Sequence, residues 1–277
     1  MFLLLMNPTF ANVINYETDS FADIATKFEE LHVDPKTTLM LFDLDDTLIT
    51  MTEPLGSVGW WDWQSELLKH NPQSEKLFTS DFQQLVRIQN ILFQLIKMRV
   101  TDDHVLPFLQ QKAAQGVTLM GLTARGKEHL SATLMQLNDN KFTVDGKLLF
   151  EQYGLKINNK TSIAGNFHCP HFSKDVIYQR GVMFLDGEDK GQSALCVLAN
   201  TQQNINTIIF VDDAKRNVVS MEKAFANENV RVLNVFYTRE NGKELEIQNN
   251  AAIQAKLIEQ WNSFKKNLNE ITANGNF

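Results

Sequence analysis

Positive charge is scarce in this chain: 26 Lys and Arg stand against 33 Asp and Glu in 277 residues, a formal net charge of -7. No stretch gathers the basic residues into a face, which argues against a nucleic-acid partner. An anionic ligand would need local positive charge, from a metal and a few Lys or Arg. Cysteine is rarer still. Cys169 and Cys196 are the only two; they exclude a disulfide framework, and whether they pair is not legible from sequence. Long apolar runs are also missing. None approaches the roughly 18 to 20 residues of a spanning helix, so the chain is not expected to cross a membrane.

What is present suffices for a folded interior. Hydrophobic residues make up 43% of the chain and charged ones 21%. That balance excludes extended disorder and allows one large domain with an insertion, or two small ones. The first residues, Met1-Phe2-Leu3-Leu4-Leu5-Met6 before Thr9-Phe10-Ala11, set an apolar segment ahead of a small residue, as the tail of a signal peptide does. They lack the positively charged opening of such peptides. An exported or periplasmic protein and a cytoplasmic one with an apolar leader strand both fit.

One stretch organises the rest. Thr37-Thr38-Leu39-Met40 leads into Leu41-Phe42-Asp43-Leu44-Asp45-Asp46-Thr47-Leu48, an apolar, β-prone run that stops on carboxylates. This is the pattern of a buried parallel strand delivering Asp43 to the carboxyl edge of an α/β sheet, where such sheets bind ligands. Two acids two positions apart at that edge can divide two tasks. One can take a metal and attack phosphorus, and the other can handle a proton. Upstream, Phe21, Ile24, Ala25, Phe28 and Leu31 recur at helical spacing behind a cap at Thr18, Asp19 or Ser20, and Pro35 breaks the helix.

A long helical stretch separates this strand from the next, Gly116 to Leu122. Ser80-Asp81-Phe82-Gln83 reads as a capping box before Leu85, Ile88, Leu92 and Leu95; Thr101 can cap a further helix over residues 102–115. Trp60, Trp61 and Trp63 either pack this insertion onto the core or form an aromatic wall for an apolar or ring-bearing ligand. The second strand ends in Leu122-Thr123-Ala124-Arg125-Gly126. Thr123 by itself carries no signal, since most strand-end threonines do nothing chemical; Arg125 either forks onto a phosphate or carboxylate or is a solvated charge at a helix start. Residues 138–180 are polar and turn-rich, a second, smaller insertion with a strand around Lys147 to Phe150. His168, Cys169 and His171 lie there without a companion cluster to complete a metal site. Two apolar strands follow. Gly181 to Leu185 leads to Lys190-Gly191 opening a helix, and Thr207 to Val211 ends in Asp212-Asp213. Val230 to Phe236 forms one more strand, and Leu257, Trp261, Phe264 and Leu268 stripe a closing helix.

In that order the four stations, Asp43 to Thr47, Thr123, Lys190-Gly191 and Asp212-Asp213, resemble the motifs of the haloacid-dehalogenase-like (HAD) superfamily. The resemblance implies an α/β fold: a three-layer, Rossmann-like parallel sheet with a helical cap insertion after strand 1. Residues 1–50 and 100–277 would form the core and 51–99 the cap. It implies a Mg²⁺-dependent phosphatase acting through an aspartyl-phosphate on Asp43. Asp45 would serve as acid and then base, its main-chain carbonyl on the metal; Thr123, Arg125 and Lys190 would bind the phosphoryl group. Asp43, Asp45, Asp212 and Asp213 would surround Mg²⁺. Phosphatases and phosphomutases of the superfamily carry an acid where Asp45 stands, and its ATPases and dehalogenases do not. A phosphotransferase or mutase would use the same residues, whereas a silent anion-binding module has no need of Asp45. A cap excludes large partners, so the expected substrate is small and phosphorylated; the pattern sets no oligomeric state. More narrowly, Leu122 to Arg125 and Gly181 to Phe184 are similar to strings in a set of bacterial HAD-like proteins of unassigned function, some exported.

Overall fold

The computed structural model describes residues 12–271; the apolar residues 1–11, with their signal-like pattern, lie outside them. The chain enters on a strand, β1 (Val13–Thr18), and a helix, α1 (Phe21–Glu30), whose cap Ser20 accepts a hydrogen bond from the Ala22 amide. β2 (Thr38–Phe42) follows with every residue buried. Next come β3 (Ile49–Met51), α2 (Val58–His70), α3 (Phe82–Leu95) and β4 (Met98–Val100). β3 and β4 pair antiparallel into a ribbon from which the two helices project as a lid.

The chain returns through α4 (Val105–Ala114) to β5 (Thr118–Thr123) and α5 (Leu130–Asp139). A small hairpin of β6 (Thr143–Val144) and β7 (Lys147–Leu148) leads to one turn of helix, α6 (Leu149–Gln152). After a long loop come β8 (Ile177–Gln179), β9 (Val182–Phe184), α7 (Lys190–Asn200), β10 (Thr207–Asp212), α8 (Lys215–Phe225) and β11 (Arg231–Tyr237). Two helices finish the described chain, α9 (Lys243–Asn249) and α10 (Ala251–Ile271).

Seven strands form one sheet in the order β1-β11-β10-β2-β5-β9-β8, parallel throughout except for β8, which runs antiparallel to β9 at the edge. The strand that delivers Asp43 is therefore second in chain order and central in the sheet. Its residues alternate between two interiors. Met40 and Phe42 join Phe21, Ile24 and Phe28 of α1 and Phe108 and Leu109 of α4. Leu39 and Leu41 join Ala194 and Val197 of α7 and Met221 and Phe225 of α8. Helices thus cover both faces, which is why the central strands read as unbroken apolar runs. The three-layer α/β architecture with a helical insertion is the one the sequence implies.

A third cluster builds the lid. Trp60, Trp63, Phe78, Leu85, Ile88 and Leu92 of the insertion pack with Ile247, Leu257 and Trp261 from the C-terminal helices. Phe78 and Trp261 stack with ring centroids 5.4 Å apart. The sequence reading grouped 100–277 with the core. In the structure the stripe of α10 instead faces the insertion, since both faces of the sheet are already covered. The α3 cap also differs by one position from the Ser80 box: Asp81 Oδ1 accepts from the Gln84 amide at 2.7 Å. The long loop before β8 is tied to α7 by a disulfide between Cys169 and Cys196, their Cα atoms 6.2 Å apart. Among the described residues no helix is long and apolar enough to cross a membrane.

Candidate active site

β2 and β10 lie side by side in parallel register, Val211 opposite Phe42, so Asp43 and Asp212 leave the sheet together. The Asp43 amide donates to the Val211 carbonyl at 3.0 Å, fixing where the first acid emerges. Between the two carboxylates sits Lys190. Its Nζ lies 2.8 Å from Asp43 Oδ1 and 2.6 Å from Asp212 Oδ2, and all three side chains are buried. Lys190 reaches this place because it is the first residue of α7, which Asp189 caps by accepting from the Gln192 amide at 2.8 Å. Gly191 supplies the approach. A Cβ there would lie 2.5 Å from the Ser220 carbonyl oxygen, so only glycine lets α7 close onto α8.

The turn after β2 locks onto the turn after β10. Thr47 Oγ1 donates to Asp213 Oδ1 and accepts from the Asp213 amide, both at 3.1 Å. Asp46 adopts a left-handed conformation (φ 54°), and Thr50 Oγ1 donates to its Oδ1 at 2.6 Å. Thr101 Oγ1 donates to the Thr47 carbonyl at 2.6 Å, which anchors the same turn from the lid ribbon's far end. Asp212 Oδ1 accepts from the Ala214 amide and from Asn217 Nδ2, each at 2.9 Å.

Carboxylate oxygens of Asp43, Asp212 and Asp213 all lie within 4.8 Å of one another. Burial raises the Asp43 carboxyl to about 6, against the pull of Lys190, and Asp212 and Asp45 add to the rise. Burial, with Asp43 and Asp212 nearby, holds Asp213 well above the ordinary carboxylate range. Burial opposes the Lys190 charge, yet Asp212 and Asp43 keep its ammonium above its usual value. Three buried carboxylates thus crowd a single ammonium, an excess of negative charge that a low-dielectric interior penalises. A hard divalent cation such as Mg²⁺ fits both the charge and the all-oxygen donor set.

The Asp45 side chain stands apart from this cluster. Arg125 forks onto it, Nε donating to Oδ2 at 2.8 Å and Nη2 to Oδ1 at 2.6 Å. Thr123, at the end of β5, is buried and its hydroxyl accepts from the Arg125 amide at 3.2 Å. The structure therefore brings Asp43, Lys190, Asp212 and Asp213 into one cluster, with Asp45 and Arg125 as a pair beside it. A cleft of about 650 Å³ is lined by Asp43, Asp45, Asp213 and Arg125 on one side and by lid residues Trp61 and Phe82 on the other. The three tryptophans divide. Trp60 and Trp63 are buried inside the lid, whereas Trp61 meets Phe82 edge-on at 5.9 Å beside the cleft.

Sequence reading passed over Asn217, Thr133 and Gln136. Asn217 has a faint signal, a polar residue in the first turn of the helix after an acidic strand end. Thr133 and Gln136 fall on the buried face of α5, polar residues interrupting the stripe of Leu130, Leu134 and Leu137.

The model of the family described as "Protein of unknown function (DUF2608)" matches residues 17–274. Among curated proteins no relative matches the chain. A solved structure, that of cytosolic 5'-nucleotidase IIIB bound to cytidine, is similar at 12% identity, covering 88% of this chain and 91% of that chain with a TM-score of 0.35.

Proposed function

The chain belongs to the family described as a protein of unknown function (DUF2608), and from its site we propose that it is a HAD-type, Mg²⁺-dependent phosphatase of small phosphomonoesters. One observation carries this reading: Lys190 is ion-paired to both Asp43 and Asp212, in a cluster of three buried carboxylates of which Asp43 and Asp213 line the cleft. The side chains of Asp43, Asp212 and Asp213, with the Asp45 carbonyl, would hold Mg²⁺, which when bound supplies positive charge against the phosphoryl oxygens.

Asp43 is the nucleophile. Its carboxylate oxygen attacks phosphorus in line, the Asp43–phosphorus bond forming as the bond to the leaving oxygen breaks. Lys190 favours the ionised form of Asp43 and offsets charge on the group in transfer. Asp45, protonated and with one oxygen released from the Arg125 fork, gives a proton to the leaving oxygen, then takes one from the water that hydrolyses the aspartyl-phosphate. The Thr123 hydroxyl would bind the remaining phosphoryl oxygens, joined by the Leu44 amide once it leaves Asp43 Oδ1. The cleft, about 650 Å³, has the size of a small-molecule site.

The test is phosphate release from p-nitrophenyl phosphate with and without Mg²⁺, wild type beside Asp43→Asn. Loss of the nucleophile or of the metal is expected to lower turnover by at least ~10³-fold, since a residue acting within a catalytic unit is not partly replaceable. Turnover that survives Asp43→Asn would sink the mechanism.

A further inference from the structure

Arg125 has more partners than a surface cation needs, and they come from three parts of the molecule. One edge of its guanidinium grips both oxygens of Asp45. Nη1 donates to Thr133 Oγ1 at 2.8 Å and to Gln136 Oε1 at 2.6 Å, both on α5 of the core. The face of the guanidinium lies on the Phe93 ring of α3, its carbon 4.0 Å from the ring centroid. Nη2 also lies 3.6 Å from Met98 Sδ on β4. Gln136 closes the circuit by donating from Nε2 to the Phe93 carbonyl at 2.7 Å. Arg125 is only 5% exposed, so few other positions are open to it.

This arrangement resolves what a strand-end arginine does here. A fork of fixed geometry, satisfied on every side, sets the plane and location of the carboxylate it holds. The location of the fork is set in turn by a lid helix, through the ring and carbonyl of Phe93, and by a strand of the lid ribbon, through Met98. Resting on the phosphatase reading, we propose that Arg125 is a positioning residue that couples the placement of the Asp45 carboxyl group to the seating of the lid. Lid closure would then act on proton transfer to the leaving oxygen while leaving the nucleophile cluster of Asp43, Lys190 and Asp212 untouched.

Leaving-group dependence provides the test, because an alkoxide needs a proton on departure and dinitrophenolate hardly does. The measurement is kcat/KM for an alkyl phosphate and for 2,4-dinitrophenyl phosphate, which reports the steps through formation of the aspartyl-phosphate. Wild type, Arg125→Lys and Phe93→Leu are compared in the presence of Mg²⁺. Arg125→Lys keeps the charge and removes the fork; Phe93→Leu keeps an apolar side chain and removes the ring. The alkyl-to-aryl ratio of kcat/KM is expected to fall about 10- to 100-fold in Arg125→Lys, the lower range of a general acid's contribution, and several-fold in Phe93→Leu. Equal losses on both esters, or an unchanged ratio in both variants, would overturn the coupling and leave the phosphatase reading standing. A wild type that turns over neither ester overturns that reading and the coupling with it.

Discussion

The core and the lid bury their apolar residues by different routes. In the core each central strand sends alternate residues to one of two interiors, and the helices that cover them follow the strands in order. In the lid one cluster joins opposite ends of the chain, Trp60 and Phe78 of the insertion meeting Trp261 of α10. The candidate site belongs to the first arrangement, its acids standing where strands end. What covers the site belongs to the second. The nucleophile cluster of Asp43, Lys190 and Asp212 is thus built on the sheet edge and its cover on a contact between the insertion and α10, so these two can be disturbed separately.

The largest effect is expected in the core. Lys190→Met removes the ammonium from between Asp43 and Asp212, and breaking a buried pair from one side typically costs about 3 to 5 kcal/mol. Denaturant unfolding without Mg²⁺ should show that loss, and added Mg²⁺ should recover part of it. A variant as stable as wild type would mean that the cluster is not held under charge strain. On the lid side, Trp261→Ala deletes a ring that is 4% exposed and should cost about 3 kcal/mol. Hydrogen exchange is expected to quicken in α2, α3 and α10 while β2, β5 and β10 stay protected. Equal quickening in the sheet would break the distinction between the two regions. The smallest effect is expected for Asn217→Ala, which removes one hydrogen bond to Asp212. Loss of such an outer partner lowers metal affinity about tenfold, readable as a weaker Mg²⁺ dependence with little change in unfolding. Unaltered Mg²⁺ affinity would show that Lys190 and the Ala214 amide suffice to orient Asp212.

The same contrast explains what could be read from the chain. Asp43, Asp212 and Asp213 were legible because an apolar run stopping on an acid marks a sheet edge without knowledge of the neighbours; a lysine before a glycine marks nothing by itself, and Lys190 was legible only from its third place in the order of HAD-like motifs. The stripe of Leu257, Trp261 and Phe264 declared a buried face but not its partner; that is decided by which surfaces remain uncovered after the sheet has folded. β1 was passed over although Ile14, Asn15, Tyr16 and Glu17 alternate apolar and polar as a half-buried edge strand does. It holds its edge position through register with β11 and a hydrogen bond from Asn234 Nδ2 to Asn15 Oδ1 at 2.9 Å. Arg125 was read as able to fork onto a phosphate or a carboxylate; in the structure it holds Asp45, 80 residues away, with its guanidinium face on the Phe93 ring.

The Cys169–Cys196 bridge joins the loop before β8 to the helix that begins with Lys190. That loop also carries Lys174, which borders the cleft and donates to the Asp186 carbonyl at 2.5 Å. Such bridges endure in oxidising surroundings and are opened by the glutathione and thioredoxin of the cytosol. Where the bridge stands, the rim beside Lys174 is tethered to the helix that places the ammonium; where it is opened, the rim keeps the packing of Phe167 and Val176, its ion pair between Asp175 and Lys127, and its hydrogen bonds. The bridge thus sets how firmly the rim of the cleft is held to the helix that begins with Lys190.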